Sequence, residues 1–567
     1  MQPFHIFVTR VWNGCNITAS LKNRIKEVII LDLLLYNGNI VTMNAEKERV
    51  EAVCVDGGHI AYVGGLDKAL SLCTSQTRKI DLRNRTLIPG FHDSHLHNVK
   101  YGYFKSCCDL SDCTSLGHVV EKVRQFIADN KKPEGAWVIG RGWNQDLFDV
   151  KVFPRREDLD RISLTRPILL HRCCTHMLVV NSAALSALNI DGNTPQVEGG
   201  EFDVSTGLFT EKARRLALAG IPHESVEDIK EYIKKACADL AEHGITSIQS
   251  DDFAMAENSQ TIVQAYSELA ESGELCVRVT QQCQMPDIHH LNRFIEKDLK
   301  ARNIGDFYRI GPIKILADGS LGARTAYLSS PYCDDPQTRG MMLHTEEAMA
   351  KMIKTAHDSG YPVAIHCIGD GAANICIDAI EKAKRERPND SIRHGIVHCQ
   401  ITDKAILNKF KTLDLLAFVQ PIFLDYDLHI VEDRVGKELA RTSYNFKTML
   451  DMGIHMSIGT DSPVEKFDPL PNIYCGVTRK DKKGYPAEGF FPEQRLSIYD
   501  SVYCYTHGSA YCSGEERQKG SIEEGFFADF TVLSDNIFGM EDSPEKLLDV
   551  SIDMTIVNGK IVYASGP

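Results

Sequence analysis

Both ends of the chain alternate short apolar runs with tight-turn residues. From Leu31 onward, apolar runs lie on either side of Asn-Gly and Gly-Gly pairs, in LDLLLYNGNIVTM and EAVCVDGGHIAYVGG. The same pattern returns near the other end, in FADFTVLSDN and VSIDMTIVNGKIVY. Asn-Gly or Gly-Gly between two apolar runs is typical of a β-hairpin. The pattern therefore predicts small antiparallel β-structure at each end of the chain.

The middle of the chain alternates apolar, strand-like runs with helical patterns. The strand-like runs include YRIGPIKILADGS, YPVAIHCIGDG, RHGIVHCQ, LLAFVQP and HMSIGTDSPV, and helical segments such as AANICIDAIEKAKRERP lie between them. Apolar strands that alternate with helices are typical of a parallel sheet covered by helices. About eight such units over roughly 350–400 residues predict an α/β fold, a closed (β/α)₈ TIM barrel. A doubly wound open sheet is the alternative, but the sequence lacks the Gly-rich phosphate loop expected of it.

Residues from about 108 to 211 interrupt this alternation. This stretch carries few barrel-like strands and contains the turn-rich segment IDGNTPQVEGGEFDVSTG. Insertions of this length in a barrel commonly form a subdomain over the catalytic face. We therefore expect an insertion or lid subdomain here.

Composition and charge exclude several classes of partner. The 567-residue chain carries 63 Lys and Arg against 77 Asp and Glu, a net charge of −14. An acidic surface repels phosphate backbones and anionic lipid, so we expect neither nucleic acid nor membrane as a partner. No run approaches the ~18 apolar residues of a membrane span. The 18 cysteines include adjacent pairs in SCCDL and RCCTH, a poor geometry for disulfides, so we expect reduced thiols and a cytoplasmic location.

Residues 1–30 differ from the rest of the sequence. They contain a single acidic residue, Glu27, and lack the compact apolar stretch and small-residue cleavage site of a secretory signal. We expect a poorly ordered extension, and an organellar transit peptide is the alternative.

Histidine and aspartate follow several of the apolar runs, where a barrel carries its working residues. His95 and His97 lie two apart in GFHDSHLH, so both point to the same side of an extended strand. His366, His398 and Asp461 each end a later apolar run and precede a turn. Imidazole together with carboxylate suits zinc or a similar transition metal better than Mg²⁺ or Ca²⁺. These five residues are the predicted metal ligands.

Three neighbouring residues have other expected roles. His92 lies in the same motif but faces away from His95, so we expect a structural role, whereas Asp93 shares the side of the ligand pair and is expected to support it. Lys314 lies in the apolar run GPIKILADGS, and a buried lysine costs free energy unless it is paired or chemically changed. An ion pair with Asp318, on the same side of the strand, is the simplest expectation.

These residues resemble the pattern of the amidohydrolase superfamily. PGFHDSHLH is similar to its His-x-His on the first strand, and His366, His398 and Asp461 match its ligands on the fifth, sixth and eighth strands. One branch is more similar still, the YtcJ-like group of amidohydrolase family 3 that includes N-substituted formamide deformylases. Its hallmarks resemble GRGWNQDLF, HRCCTHMLVVNSAAL, GLFTE, IKILADGSLGARTA, HCIGD and GFFADFTVL. The resemblance covers roughly residues 31–565.

The resemblance implies an arrangement of domains. It implies a metal-dependent TIM barrel over residues 89–516, which includes the insertion. It also implies a small composite β-sandwich built from residues 31–88 and 517–567. Residues 1–30 match nothing in the family.

The resemblance also implies hydrolysis with one or two bound Zn²⁺ ions. Lys314 lies where the superfamily often carries a carboxylated lysine that bridges two metals, and a single metal beside an unmodified Lys314 is the alternative. Bound Zn²⁺ lowers the pKa of its water toward ~7, and Asp461 is the expected proton shuttle. The expected reaction is hydrolysis of a C–N bond in an amide or formamide-like small molecule other than a peptide. C–O hydrolysis or isomerisation on the same barrel is the alternative, and a non-catalytic binding protein is a third hypothesis.

The substrate pocket and the assembly are predicted in outline only. We place four residues around the pocket: His176, Asn181, Arg324 and Asp318. A homodimer is the expected assembly. Two departures from many relatives leave the substrate open, since Val397 precedes His398 where a glutamate is frequent and the strand after Gly244 ends in SIQSDD.

Overall fold

The computed structural model describes residues 31–44, 46, 49–130, 135–174, 176–297 and 305–566. The predicted N-terminal extension, residues 1–30, lies outside the described residues. In chain order the strands are β1 (Leu33–Val41), β2 (Arg49–Asp56), β3 (His59–Gly64), β4 (Arg78–Asp81), β5 (Thr86–Pro89), β6 (Phe91–Leu96), β7 (Cys108–Asp109), β8 (Val138–Trp143), β9 (Ile168–Arg172), β10 (Met177–Val180), β11 (Phe202–Asp203), β12 (Leu208–Thr210), β13 (Ile245–Ser250), β14 (Arg278–Gln284), β15 (Tyr308–Leu316), β16 (Val363–Cys367), β17 (Gly395–His398), β18 (Leu416–Val419), β19 (Met456–Ile458), β20 (Phe530–Leu533), β21 (Ile552–Val557) and β22 (Lys560–Ala564).

The α-helices, again in chain order, are α1 (Leu66–Leu72), α2 (Asn98–Lys105), α3 (Leu116–Asn130), α4 (Arg156–Asp160), α5 (Ser182–Ala187), α6 (Arg214–Leu218), α7 (Val226–Glu242), α8 (Ser259–Ser272), α9 (Ile288–Glu296), α10 (Glu346–Asp358), α11 (Asp370–Glu386), α12 (Lys404–Leu413), α13 (Leu424–Asp427), α14 (Val431–Arg441), α15 (Phe446–Asp451), α16 (Pro469–Thr478), α17 (Ile498–Tyr503) and α18 (Ser509–Ser513).

An eight-stranded parallel sheet forms the centre of the molecule, in the order β19-β18-β17-β16-β15-β14-β13-β6. The sheet curls until its first and last strands adjoin. Just beyond them, the Asp461 amide donates to the His95 carbonyl and the His97 amide donates to the Ser462 carbonyl, both at 2.7 Å. The predicted (β/α)₈ barrel is confirmed, and the open-sheet alternative is wrong.

Amphipathic helices cover the outside of the barrel, as α7 illustrates. The helix begins after Ser225, whose hydroxyl accepts from the Asp228 amide while the Asp228 carboxylate accepts from the Ser225 amide. This reciprocal cap satisfies backbone donors that a helix start leaves free. From there, Ile229, Ile233 and Leu240 are buried on one face against the barrel. Apolar spacing of this kind is what directs a helix onto a sheet.

The two chain ends pair with each other in a composite sheet beside the barrel, in the order β22-β21-β20-β5-β1-β2-β3, with β4 also beside β1. The first half of β1 pairs with β4 and its second half with β5. This change of partner occurs at Asn37-Gly38, where Asn37 has a φ of 58° and a Cβ on Gly38 would lie 2.6 Å from the Leu82 Cβ. A residue without a side chain is therefore required at this bend.

Between β6 and β13 the chain forms a third sheet. Its six strands run in the order β11-β12-β10-β9-β8-β7 and pack on their own apolar core, which includes Trp143, Phe148 and Ile168. The predicted interruption of the barrel is thus a separate layer of β-structure. The domain boundaries at residues 31, 89 and 517 stay predictions.

Two absences hold for the described part of the chain. No helix there has the length and apolar character that a membrane crossing requires. Its cysteines are all free thiols, and most of them are buried.

Candidate metal centre

The predicted ligands come together at the C-terminal end of the barrel. His95 belongs to β6, His366 to β16 and His398 to β17. His97 directly follows β6, and Asp461 lies in the loop three residues after the end of β19. Ring centroids lie 5.4 Å apart for His95 and His97, 5.6 Å for His95 and His398, and 4.4 Å for His366 and His398. The ligand atoms of His95, His398 and Asp461 all lie within 4.8 Å of one another. We call these five residues the ligand cluster.

The Asp461 carboxylate lies at the centre of this cluster. Its Oδ1 is 3.1 Å from His97 Nε2 and 3.5 Å from His95 Nε2. Burial by itself raises the pKa of Asp461, but the neighbouring imidazoles outweigh burial and hold that pKa below its ordinary value. The carboxylate is therefore an anion at neutral pH, the form that binds a cation.

Three of the histidines have one ring nitrogen held by a carbonyl oxygen. The contacts are His95 Nδ1 with Gln282 Oε1 at 2.7 Å, His97 Nδ1 with the Asp251 carbonyl at 2.7 Å, and His398 Nδ1 with Gln420 Oε1 at 2.9 Å. A carbonyl oxygen accepts only, so each Nδ1 carries a proton, and the neutral rings of His95 and His398 keep a lone pair on Nε2. Two lone pairs are thereby directed into the cluster, as metal-binding histidines require, whereas Asp461 raises the pKa of His97.

The glutamine side chains are themselves oriented. Gln282 Nε2 donates to the Ser94 carbonyl at 3.1 Å, and Gln420 Nε2 donates to the Phe418 carbonyl at 3.2 Å. With the amide nitrogen fixed in this way, each Oε1 must face its histidine. The orientation of His95 and His398 is thus set by backbone groups of the barrel strands.

In His366 the two ring nitrogens have the reverse roles. Its Nε2 lies 3.2 Å from the Gly319 carbonyl, so Nδ1 is the nitrogen left for another partner. Burial lowers the pKa of His366 to about 4 and lowers the pKa of His95 and of His398 well below the ordinary value. These imidazoles are neutral at neutral pH, the protonation state that metal binding requires.

Lys314 lies inside the barrel beside this cluster. Its Nζ is 3.1 Å from His95 Nε2, and burial lowers its pKa. The expected ion pair with Asp318 is not among the ion pairs of the described residues. Asp318 instead accepts from the backbone amides of Tyr327, Ile368 and Gly369 at 2.8–3.1 Å, and burial raises its pKa to about 7. Asp318 therefore ties the loop after β15 to the loop after β16, close to His366.

Asp93 supports the ligands through the backbone. Its Oδ1 accepts from the His95 amide at 3.1 Å and from the Thr460 amide at 3.2 Å, and its Oδ2 accepts from the Thr460 hydroxyl at 2.6 Å. These contacts join the first strand to the eighth next to Asp461. The junction is tight, since a Cβ on Gly459 would lie 2.6 Å from the His95 amide nitrogen.

The donor set fits a divalent transition metal. It combines neutral imidazoles whose lone pairs converge with an ionised carboxylate in a buried site. The barrel, the strand positions of the ligands and this donor set are those of the predicted hydrolase family. The amidohydrolase family matches residues 78–563 of the sequence.

The chain belongs to the amidohydrolase family. YtcJ of Bacillus subtilis (strain 168), whose name places it among amidohydrolases, is 34% identical over 537 residues, which cover 93% of this chain and 98% of YtcJ. The N-substituted formamide deformylase of Arthrobacter pascens is 25% identical, over 94% of this chain and 98% of that enzyme. A metal-dependent hydrolase of uncharacterised activity from Pyrococcus furiosus has a TM-score of 0.74 at 30% identity, covering 89% of this chain and 99% of that one. The predicted family is confirmed, and this amidohydrolase shares its fold with metal-dependent hydrolases.

The described contacts connect none of the other predicted pocket residues of this amidohydrolase to the ligand cluster. His176 is exposed in the insertion, with Nδ1 3.0 Å from Glu211 Oε2. Asn181 is buried at the start of α5, where its Oδ1 accepts from the Ile168 and Ala184 amides. Arg324 pairs with Asp334 at 2.9 Å in the loop after β15. Their role in substrate binding stays a prediction.

Three residues of the centre were missed by sequence reasoning: Gln282, Gln420 and Asp251. Gln420 directly follows the apolar strand LAFV, and Asp251 directly follows the buried strand ITSIQS. Both therefore carry the same signal as the ligands, a polar residue at the end of a strand. Gln282 lies within a strand, where the sequence gives no comparable signal.

Proposed function

We propose that this amidohydrolase hydrolyses a C–N bond of a small amide or formamide-like molecule that is not a peptide, with Zn²⁺ held by the ligand cluster. The observation that carries the proposal is the contact of one ionised carboxylate oxygen of Asp461 with the Nε2 atoms of two oriented imidazoles. The formamide deformylase among the relatives supports the choice of a C–N bond. The cytoplasmic location and the homodimer stay predictions from the sequence.

Each residue has a task in this reaction. When bound, Zn²⁺ supplies water whose pKa is lowered to about 7 and withdraws charge from a carbonyl oxygen. Asp461 accepts a proton from the attacking water and returns it to the leaving nitrogen, since its carboxylate is an anion within reach of the centre. Gln282 and Gln420 keep His95 and His398 in the tautomer that presents Nε2.

We extend the proposal to carboxylation of Lys314. Its burial lowers the pKa and so raises the fraction of free amine that reacts with CO₂. Its Nζ lies 3.1 Å from His95 Nε2, which supports a carbamate that would contribute an oxygen ligand. Solution ¹³C NMR of protein equilibrated with ¹³CO₂ tests this directly. A carbamate signal that Lys314→Met removes is expected, and a wild-type spectrum without that signal contradicts bridging by Lys314.

Metal analysis tests the centre itself. We expect purified protein to hold at least about one divalent ion per chain and His95→Ala to lower that content sharply. His455→Ala is the matched control, because it removes the same residue type just before barrel strand β19 without removing a predicted ligand, and it should keep the ion. A wild-type protein that retains no metal under gentle handling contradicts the catalytic proposal.

A substrate panel tests the reaction. N-formyl amines, N-acyl amines, cyclic amides and matched esters would be compared, each with wild type and with Asp461→Asn. Turnover of amides or formamides that Asp461→Asn lowers by orders of magnitude is the expected result. Turnover of the esters alone makes the C–N assignment wrong.

A further inference from the structure

The N-terminal end of the barrel interior, which we call the barrel floor, contains a buried ion pair. Lys519 Nζ lies 3.0 Å from Glu515 Oε2, and both side chains are at most 6% exposed. They reach three barrel strands: Lys519 donates to the Ser247 hydroxyl at 3.1 Å, the Thr280 hydroxyl donates to Glu515 at 3.2 Å, and Arg309 lies 3.4 Å from Glu515. Glu515 and Lys519, in the segment after α18, therefore cover the N-terminal end of the barrel with charged side chains.

Polar atoms without partners lie immediately above this ion pair. Both ring nitrogens of His92, the Ser94 hydroxyl and both amide atoms of Gln249 are buried and have no hydrogen-bond partner among the described residues. The strand register brings them together, since His92 lies opposite Ser247 and Gln249 lies opposite Thr280. His92 is opposite the residue whose hydroxyl accepts from Lys519, so the ring lies on the strand next to the ion pair.

This group of atoms continues into the metal centre. Ser94 offers its carbonyl to Gln282 Nε2 at 3.1 Å, and Gln282 Oε1 holds His95 Nδ1 at 2.7 Å. Polar groups therefore extend from the barrel floor to a predicted ligand through β6, β13 and β14. The opposite half of the interior is apolar, formed by Ala364, Val397, Leu416 and Phe418 on β16 to β18.

Energetics require partners for these atoms. An unpartnered buried polar atom destabilises the folded protein, and His92, Ser94 and Gln249 contribute several such atoms in one place. Buried water typically makes about three hydrogen bonds to groups of this kind. Water in the polar half of the interior would satisfy the donors and acceptors of these residues on β6 and β13 together.

We propose that internal water molecules fill the polar half of the barrel between the Glu515–Lys519 pair and Gln282, bound by His92, Ser94 and Gln249. The water makes His92 and Gln249 positioning residues for His95, because it braces Ser94 and Gln282 from below. Such water would orient His95 whichever substrate the protein takes.

A crystal structure of the purified protein provides the first test. Ordered water within hydrogen-bond distance of His92 and Gln249 is expected. Direct contact between those side chains, or an interior without water, overturns the proposal. This measurement depends neither on bound metal nor on a known substrate, so its outcome is separate from that of the proposed function.

Variants provide the second test, read by thermal unfolding and by the visible spectrum of Co²⁺-substituted protein, which reports ligand geometry. His92→Leu and Gln249→Leu should each lower the Tm, shift the Co²⁺ bands and weaken Co²⁺ binding about tenfold. His92→Gln, which keeps a donor and an acceptor, should restore the wild-type spectrum. Leu416→Val in the apolar half is the matched control, which lowers the Tm without moving the bands.

The same variants distinguish a barrel interior that contains water from one that does not. In a dry interior, replacing His92 or Gln249 by leucine removes an unsatisfied group and raises the Tm, with unchanged Co²⁺ bands, and that result overturns the proposal. If one leucine variant does not fold, the other and the crystal structure decide. Should the protein bind no Co²⁺, the Tm and the crystal structure still give the answer.

Discussion

His92 and His95 lie on one strand and are both buried, yet the structure uses them differently. Burial lowers the pKa of each imidazole well below its ordinary value. His95 has Nδ1 on Gln282 and directs Nε2 toward Asp461, whereas neither nitrogen of His92 has a partner among the described residues. Burial and neutrality therefore do not make a metal ligand. His95 differs from His92 in two contacts: a hydrogen-bond acceptor at Nδ1 and the Asp461 carboxylate near Nε2. These contacts distinguish the metal centre from the barrel floor.

Removing the anion should have the largest effect on the centre. Asp461→Asn leaves the side-chain shape but removes the charge and the proton acceptor, so we expect turnover to fall about 10²–10⁴-fold and metal content to fall. Steady-state kinetics and metal analysis check this. Asp553→Asn is the control, because it removes a carboxylate that pairs with Arg85 at 3.2 Å in the composite sheet. Equal losses in both variants would mean that the effect is one of general stability.

Breaking the ion pair of the barrel floor should affect stability and spare the metal. Lys519→Met removes the closer of two cations beside buried Glu515 and leaves Arg309 at 3.4 Å, so the loss should approach but not exceed the about 3–5 kcal/mol of a broken buried pair. Denaturant unfolding measures that loss, and metal analysis should still find the wild-type content. Lys354→Met, which removes a surface pair with Asp358, should change little. Loss of metal from Lys519→Met would mean that the barrel floor also supports metal binding, and would contradict separate roles for the two ends of the barrel.

The sequence predicts the ligands better than it predicts their supports. A ligand such as His398 ends an apolar run and precedes a turn, and this local pattern can be recognised from the sequence alone. Gln282 reaches His95 across the barrel, so its role depends on closure of the sheet. Strand alternation also predicts that His92 faces away from His95, but β6 contains a bulge. Asp93 lies opposite Ile248 and Leu96 lies opposite Ser250, so three steps along β6 correspond to two steps along β13. The bulge allows both histidines to lie in the interior, which alternation excludes.

Loosening a support should have a smaller effect than removing a ligand. Gln282→Leu keeps the volume but leaves His95 Nδ1 without its acceptor, so the ring is free to change tautomer and to turn. Loss of such a contact typically lowers metal affinity about 10–100-fold. Competition with a chelator measures this affinity. Gln494→Leu, which removes a glutamine that donates to Thr448 far from the centre, should bind metal as wild type does. Wild-type affinity in Gln282→Leu would show that the His95 ring needs no such support.

The smallest expected effect is a dependence of stability on pH. It comes from His357 and His394, a buried pair in which every ring nitrogen has a hydrogen-bond partner. The Val363 amide donates to His394 Nδ1 at 3.1 Å, so the proton of His394 is on Nε2, which donates to His357 Nδ1 at 2.9 Å. His357 Nε2 then donates to the Arg387 carbonyl at 2.7 Å. Neither ring has room for a second proton without losing a contact.

Burial lowers the pKa of His394 from 6.5 to about 3. The unfolded chain therefore binds a proton at this residue below pH 6.5, while the folded chain binds it only near pH 3. Its contribution to stability is complete above pH 6.5 and is lost as the pH falls toward 3, by about 1.4 kcal/mol for each pH unit. Denaturant unfolding of metal-free protein at pH 7.5, 6 and 5 measures the slope. His394→Gln should be less stable at pH 7.5 and should show a shallower slope than wild type. Parallel slopes would mean that His394 is protonated in the folded chain and that full hydrogen bonding does not keep a buried histidine neutral.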